Sequence, residues 1–361
     1  MRILVAGDWH SELHEVAVYN AFRKLGHEVG RFSWHEYFHP QGGFFRGIDS
    51  VIRKFQNKFV TGPLLTRVNR DFVAAATAFR PELVFVYRGT HITAASLAEV
   101  KRRIPGVFLF GYNNDDPFGP DHPGWLWRHF MRAIPYYDLV GAYRKSNLVD
   151  FEQAGARRVR LLRSWFIEER NHPVVLSDAD RSRYECDVVF VGHYEPDGRV
   201  EMLERIVNAG FRLRLFGPGY YWDPVIAKTP TLAHLYPIRL VWGEDYNRSL
   251  CGAKVALCFL SKLNRDAYTR RCFEIPATQT VLLSEYSDDL ATLFREGIEA
   301  DFFRTVDELI AKIGLYVGDD ARRGAVAAAG HARVYADRHD VVSRMAQLME
   351  WVAEIRTREA V

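Results

Sequence analysis

Short apolar runs recur along the chain at 2–6, 82–87, 107–112, 138–142, 159–162, 187–191, 212–216, 254–259, 280–284 and 298–303. The stretches between them return apolar positions every three or four residues. Runs of that length predict strands covered on both faces, and the intervening period predicts the helices that cover them. Strand alternating with helix is the pattern of parallel sheets. The pattern starts twice: Ile3-Leu4-Val5-Ala6-Gly7 opens one strand-turn-helix unit and Val188-Val189-Phe190-Val191-Gly192 opens another. The predicted fold class is therefore α/β, with two Rossmann-like domains whose parallel sheets face one another across a cleft. Their expected bounds are 1–168 and 169–338, with Asn171-His172-Pro173 and the polar run from Ser177 to Arg181 as surface linker. The proline-free tail from Asp319 to Thr357 predicts two closing helices, the last, over 339–361, returning towards the first domain.

In open α/β sheets ligands sit outside the carboxyl ends of the strands, so the chemistry is expected in the loops that follow them. Five such loops are rich in glycine or polar groups: Gly7-Asp8-Trp9-His10, Tyr87-Arg88-Gly89-Thr90-His91, Tyr112-Asn113-Asn114-Asp115-Asp116-Pro117, Gly192-His193-Tyr194 and Phe216-Gly217-Pro218-Gly219-Tyr220.

Composition narrows the class. With 48% hydrophobic and 26% charged residues in 361, the chain has ample apolar surface for packed cores and is not a disordered protein. The formal charge of +3 hides an asymmetry, since residues 1–165 carry eight more Lys and Arg than Asp and Glu, while the remainder carries five more acids. A basic half and an acidic half imply different partners. Nucleic acid is not among them: the cations are dispersed and no RNP-like or zinc-finger pattern occurs. Neither a run of about 18 apolar residues nor a signal-peptide pattern at Met1-Arg2-Ile3 is present, so a cytoplasmic protein is expected. Cys186, Cys251, Cys258 and Cys272 form no CxxC pair and are expected as small core residues.

The first loop lacks the GxGxxG spacing that wraps a pyrophosphate, as does Gly192, which argues against a tight NAD or FAD site and leaves no bound cofactor expected. The histidines form no HxH or HExxH pattern, so no metal is expected. Asp115-Asp116-Pro117 places two carboxyls after a strand, either as a general base or as a turn. The richest segment runs from Ser261 to Pro276, where Lys262, Arg265, Arg270 and Arg271 emerge at a strand end with Glu274 among them. Such cations suit an anionic ligand, and Glu274 either accepts from sugar hydroxyls or pairs with an arginine. Lastly, Phe44, Phe45, Ile48, Val51, Ile52, Phe55 and Phe59 recur near helical spacing with Arg46, Arg53, Lys54 and Lys58 between them. That stripe is either a core face or a helix lying on an anionic membrane surface.

The C-terminal half resembles a known family, the CgeB-like (spore maturation protein type) glycosyltransferases of the GT-B superfamily, related to glycosyltransferase family 4. The likeness is carried by Arg271-Cys272-Phe273-Glu274-Ile275-Pro276-Ala277, by Val281-Leu282-Leu283-Ser284-Glu285, and by the stretch Phe294 to Phe303 with Asp307-Glu308-Leu309. Val189 to Tyr194 with Arg199, and Leu215-Phe216-Gly217, resemble the start of the family's donor domain; Asp115-Asp116-Pro117-Phe118 and Tyr137-Asp138-Leu139-Val140 resemble its first domain.

The resemblance implies metal-independent transfer of a sugar, hexosyltransferase-like, from a nucleotide-diphosphate sugar held by the second domain. The acceptor, a glycan, lipid-linked or protein hydroxyl held by the first, would fit cell-surface polysaccharide synthesis, with the enzyme cytoplasmic or peripheral at the inner face of an anionic membrane. In the family's Glu-x7-Glu pattern Glu274 stands as the second acid, which binds ribose, and Asp266 in place of the first. Arg271, Lys262, Arg265 and Arg199 would neutralise the diphosphate. Asn264, Tyr268, Gly192 and Gly217 would complete the donor site. Asp116, Asp115 or His10 would serve as base in an inverting enzyme, or only position the acceptor in a retaining one, beside Asp8, Trp9, Arg88, Thr90 and His91. The family's glycines after the proline are absent from Ala277-Thr278-Gln279-Thr280. A non-catalytic nucleotide-sugar-binding or assembly protein and a GT-B-type epimerase are the alternatives.

Overall fold

The computed structural model describes residues 1–39, 46–120 and 122–360, without the side chains of 46–48 and 360. Phe44 and Phe45 of the apolar stripe lie outside the described residues. The chain divides by contacts into two compact units, Met1–Ser164 with Val341–Val361, and Trp165–Asp340.

In the first unit the order is β1 (Arg2–Gly7), α1 (Glu15–Lys24), β2 (Glu28–Ser33), α2 (Arg46–Phe59), α3 (Pro63–Phe79), β3 (Leu83–Tyr87), α4 (Ala94–Arg103), β4 (Phe108–Asn113), α5 (Gly124–Ala133), β5 (Leu139–Ala142), α6 (Ser146–Gln153) and β6 (Val159–Leu161). The six strands pair in parallel in the order β2-β1-β3-β4-β5-β6. Central β3 and β4 are wholly buried, which is why their sequences are near-continuous hydrophobic runs. The edge strand β2, Glu28-Val29-Gly30-Arg31-Phe32-Ser33, was not among the expected strands. Its half-exposed edge position lets it carry Glu28, Gly30 and Arg31, so no apolar run marks it.

The second unit holds α7 (Asp178–Tyr184), β7 (Cys186–Val191), α8 (Arg199–Asn208), β8 (Leu213–Phe216), α9 (Gly219–Ile226), α10 (Glu244–Cys251), β9 (Ala253–Cys258), α11 (Arg271–Ala277), β10 (Val281–Glu285), α12 (Asp288–Leu293), β11 (Asp301–Phe303), α13 (Val306–Gly318) and α14 (Asp320–Ala336). Its strands are also parallel, in the order β11-β10-β9-β7-β8. Side-chain caps start four of its helices: Ser177 forms a capping box with Asp180 at α7, and Ser287, Thr305 and Asp319 cap α12, α13 and α14. The last helix, α15 (Val341–Ala360), packs with the first unit, where Glu354 and Glu359 pair with Arg160 and Arg158, each at 2.7 Å. Among the described residues no helix is long and apolar enough to cross a membrane.

In both sheets the strand order reverses beside the first strand of the unit, between β1 and β3 and between β7 and β9. The loops leaving those strands therefore diverge to opposite sides and open a crevice at the carboxyl ends. In the second unit the β7 and β8 loops touch backbone to backbone. A Cβ on Gly217 would lie 2.2 Å from the Gly192 carbonyl oxygen, which already accepts the Trp222 indole N–H at 2.9 Å. Gly217→Ala is expected to lower stability by roughly 1–3 kcal/mol, as overpacked sites do, read as a fall in melting temperature. Gly324→Ala in α14, where nothing lies within 4 Å, is the control and should be neutral or stabilising.

Candidate active site

The β7–β9 crevice is where the second unit concentrates polar side chains. At the start of α11, Arg271 and Glu274 stand one helical turn apart. Glu274 is buried, and its Oε2 accepts a 2.6 Å hydrogen bond from the Tyr246 hydroxyl on α10. Its other oxygen, Oε1, is sealed from solvent with no partner, and so is Nε of Arg271. Burial works against the Arg271 charge, but the neighbouring Cys258, Tyr246 and Glu274 outweigh it and hold the guanidinium firmly protonated. The same burial, with Glu274 next to it, raises the Tyr246 phenol well above its ordinary range, so this hydroxyl is a fixed donor. A half-buried cation and a buried carboxyl that keep unsatisfied polar atoms cost free energy unless a ligand completes them.

Next to this pair, Cys258 and Cys272 approach to 3.7 Å, and their hydrogen bond lowers the pKa of the Cys258 thiol, with the Arg271 charge adding to it. Above it, at the end of β7, desolvation and then the Arg271 cation lower the pKa of His193, whose ring lies 6.2 Å from that of Tyr221. The rings of Tyr221 and Tyr220 lie 4.3 Å apart, tilted by 44°, and both residues are exposed. The cluster thus sets a protonated guanidinium and a carboxyl beside exposed aromatic rings.

The other expected donor residues hold varied places. Arg199 is buried, and Asp197 grips it twice, at 2.7 and 2.6 Å, while its Nη1 donates to the His193 carbonyl; its charge already shapes the β7 loop. Lys262 is exposed, 3.3 Å from Glu285, which also accepts from the Leu260 amide. Asn264, Arg265 and Asp266 belong to a tight turn in which backbone bonds return to Ser261 and Lys262, with Arg265 at a φ of 47°. Tyr268 is a core residue packed on Phe273. Gly192 and Gly217 serve the close backbone contact described above. Tyr246 escaped sequence reasoning because it sits on another helix, 28 positions before Glu274; only tertiary packing joins them.

In the first unit, the β1–β3 crevice gathers Asp8, Trp9, His10 and Arg88. Asp8 lies 3.2 Å from His35, whose ring neighbours those of His10 and His39. Trp9, at a φ of 61°, is pinned by its indole N–H to the Phe32 carbonyl, with the Arg31 guanidinium over its ring. Arg88 reaches across to Asp115 at 2.9 Å. Asp116 is fully buried, accepting from Asn147 at 2.9 Å and from the Phe118 amide at 3.1 Å, so it builds the turn that was the alternative reading of this motif. Thr90 and His91 are also buried. His91 is held between Thr90 and Asn57, and burial lowers its pKa to about 3, leaving a neutral core histidine.

Glu15, overlooked in the sequence, fills the place under the first loop. Its carboxyl accepts from the Asp8 amide at 2.9 Å and occupies the space a Cβ on Gly7 would take. The available signal was its spacing, since Glu15, Val18 and Phe22 fall on one face and all are buried.

Residues 199–350 match the Glycosyl transferase-like family model. Among curated proteins no match to the chain is found. Solved structures with similar folds include HepE from Anabaena in complex with UDP and glucose, at 14% identity and a TM-score of 0.67, covering 98% of this chain and 100% of that one. Sucrose-phosphate synthase from Thermosynechococcus elongatus matches at 12% identity and a TM-score of 0.66, over 99% and 100% of the two chains. A glycosyltransferase from Rickettsia africae matches at 10% and 0.67, over 98% of each. The chain has the GT-B fold that these structures share.

Burial raises the Glu15 carboxyl from 4.5 to about 7. A carboxyl that binds its proton more tightly when folded stabilises the protein fully below its unfolded pKa and loses that stabilisation as pH rises through the folded value. The loss is on the order of 3 kcal/mol, at about 1.4 kcal/mol per unit. Glu15→Gln keeps an acceptor and removes the titration. Its melting temperature is therefore expected to gain on wild type between about pH 5 and about pH 8, and a gap that does not change with pH would contradict this.

Proposed function

We propose that the chain is a glycosyltransferase of the CgeB-like type that moves a hexosyl group from a nucleotide-diphosphate sugar to a glycan, lipid-linked or protein hydroxyl. The observation that carries this reading is the pair Arg271 and Glu274, both with sealed, unsatisfied polar atoms at the carboxyl end of a Rossmann-like sheet and both inside the segment matched by the glycosyl transferase-like family. HepE, which shares the fold, was solved with UDP-glucose, making UDP the first nucleotide to try.

Each residue then has a role. Arg271 meets the diphosphate and, as the glycosidic bond breaks, neutralises charge on the leaving group where it develops. The Tyr246 hydroxyl occupies one oxygen of Glu274, which leaves Oε1 to accept from a ribose or sugar hydroxyl. The Tyr220 and Tyr221 rings offer a face for the base. With the Arg271 guanidinium in the charge-stabilising position, the reaction is proposed to run without metal. No resident cofactor is proposed either, because Glu15 already satisfies the loop amide that a bound phosphate would meet.

The first unit is proposed to hold the acceptor, in the cytoplasm. Asp116 is committed to its turn, so the groups available there are His10, which is exposed, and the Asp8–His35 pair. A carboxyl holding an imidazole at 3.2 Å fixes its tautomer and ring orientation, the arrangement a general base or a positioning group for an acceptor hydroxyl needs.

The test is thermal shift against UDP, GDP, dTDP, CDP and their sugars. A ligand at about 100 times its Kd adds roughly 2.7 kcal/mol to the folded state, several degrees for a chain of this size. One nucleotide family is expected to stabilise wild type, with the shift lost in Arg271→Ala and reduced at least tenfold in affinity in Glu274→Gln, which keeps the side-chain shape. A Glu274→Gln protein that retains the wild-type shift would remove the ribose-binding role, and no shift with any nucleotide would sink the reading.

A further inference from the structure

Helix α2 is turned inside out. Three of its polar side chains bond to the protein: Arg53 pairs with Asp49 at 2.7 Å and donates to the Tyr37 carbonyl, Gln56 accepts from the Leu64 amide at 2.9 Å, and Asn57 bonds the buried His91 at 3.0 Å. Its apolar side chains face solvent, with Val51, Ile52 and Phe55 exposed by 67, 50 and 57%. At spacings of one and four residues these three make a single stripe, which Phe59 extends, its ring 4.7 Å from that of Phe55 and 5.1 Å from Trp125. Lys54 and Lys58 are exposed beside the stripe, whereas the helix's one acid, Asp49, is on the inward side and neutralised by Arg53.

An exposed apolar stripe of this size on an ordinary surface helix has no solvent-side rationale and marks a contact surface. Its chemistry selects the partner. Cations flank the stripe, and the single acid of α2, Asp49, is paired with Arg53; lysine stems lie along apolar surface while the ammonium groups reach outward. Tryptophan at the stripe's end is the residue that favours the boundary between headgroups and acyl chains. The charge balance of residues 1–165 has the same sign.

We infer that α2 seats the first unit on an anionic bilayer surface, Val51, Ile52 and Phe55 entering the headgroup boundary while Lys54 and Lys58 meet lipid phosphates. The inference rests on this face alone and not on the transfer chemistry proposed above, and it supplies that reading with the surface on which a lipid-linked acceptor would be met.

The test is flotation of the full chain with vesicles of phosphatidylcholine alone or mixed equally with phosphatidylglycerol. Wild type is expected to float with the anionic vesicles only and to be released by salt. Lys54→Glu with Lys58→Glu should weaken binding by at least about 30-fold, each lysine near such a surface being worth roughly fivefold. Val51→Ser with Phe55→Ser should abolish it with little change in melting temperature, because both side chains are more exposed than buried. Failure of wild type to float, or flotation of either variant like wild type, overturns the inference. So does a wild-type dimer that Val51→Ser with Phe55→Ser converts to monomer, which would assign the face to a second copy of the chain. The nucleotide thermal shift is measured without lipid, so the two readings fail separately.

Discussion

All the described strands of both sheets run parallel and are covered by helices, and the rest of the structure follows from that constraint. A strand buried on both faces tolerates almost no polar side chain, since an unpaired polar group there costs more than a single packing contact returns. Chemistry is therefore expelled to the loops at the strand ends, and the reversal of strand order between β1 and β3 and between β7 and β9 decides which loops part to leave room for a ligand.

Within those loops, the treatment of buried charge separates framework from function. Arg199 and Asp197 satisfy one another completely and hold the β7 loop against α8; Asp116 does the same in the first unit through Asn147 and the Phe118 amide. Glu274 is equally enclosed and Arg271 is half-buried, and each keeps one sealed polar atom, Oε1 and Nε, with no partner, which costs free energy. Glu15 is intermediate, a carboxyl whose burial is compensated by backbone amides and by retaining its proton near neutral pH. Helix α2 bonds Arg53, Gln56 and Asn57 to the protein and leaves Val51, Ile52 and Phe55 outside.

The α/β class, the two restarts of the strand-turn-helix pattern and most central strands were legible in the sequence, because strands buried on both faces must be written as short continuous apolar runs. The segment around Arg271 and Glu274 was visible only as cations and an acid collected between two such runs, and its pairing with Tyr246 was not. Edge strand β2 was not, since half-exposed positions accept Glu28 and Arg31 and leave no run to read.

Other facts belong to tertiary structure alone. Tyr246 meets Glu274, and His35 meets Asp8, only because parallel sheets bring loops and helices from distant parts of the chain to one edge. Arg199 has an acid two positions away in Asp197 and is neutralised by it, a pairing local in the chain, whereas only packing sets Arg271 beside Tyr246 of another helix. The stripe on α2 is plain in the sequence as an amphipathic period, but a period has no sign: it states that one face is apolar, and the hydrogen bonds of Arg53, Gln56 and Asn57 decided that this face would point outward.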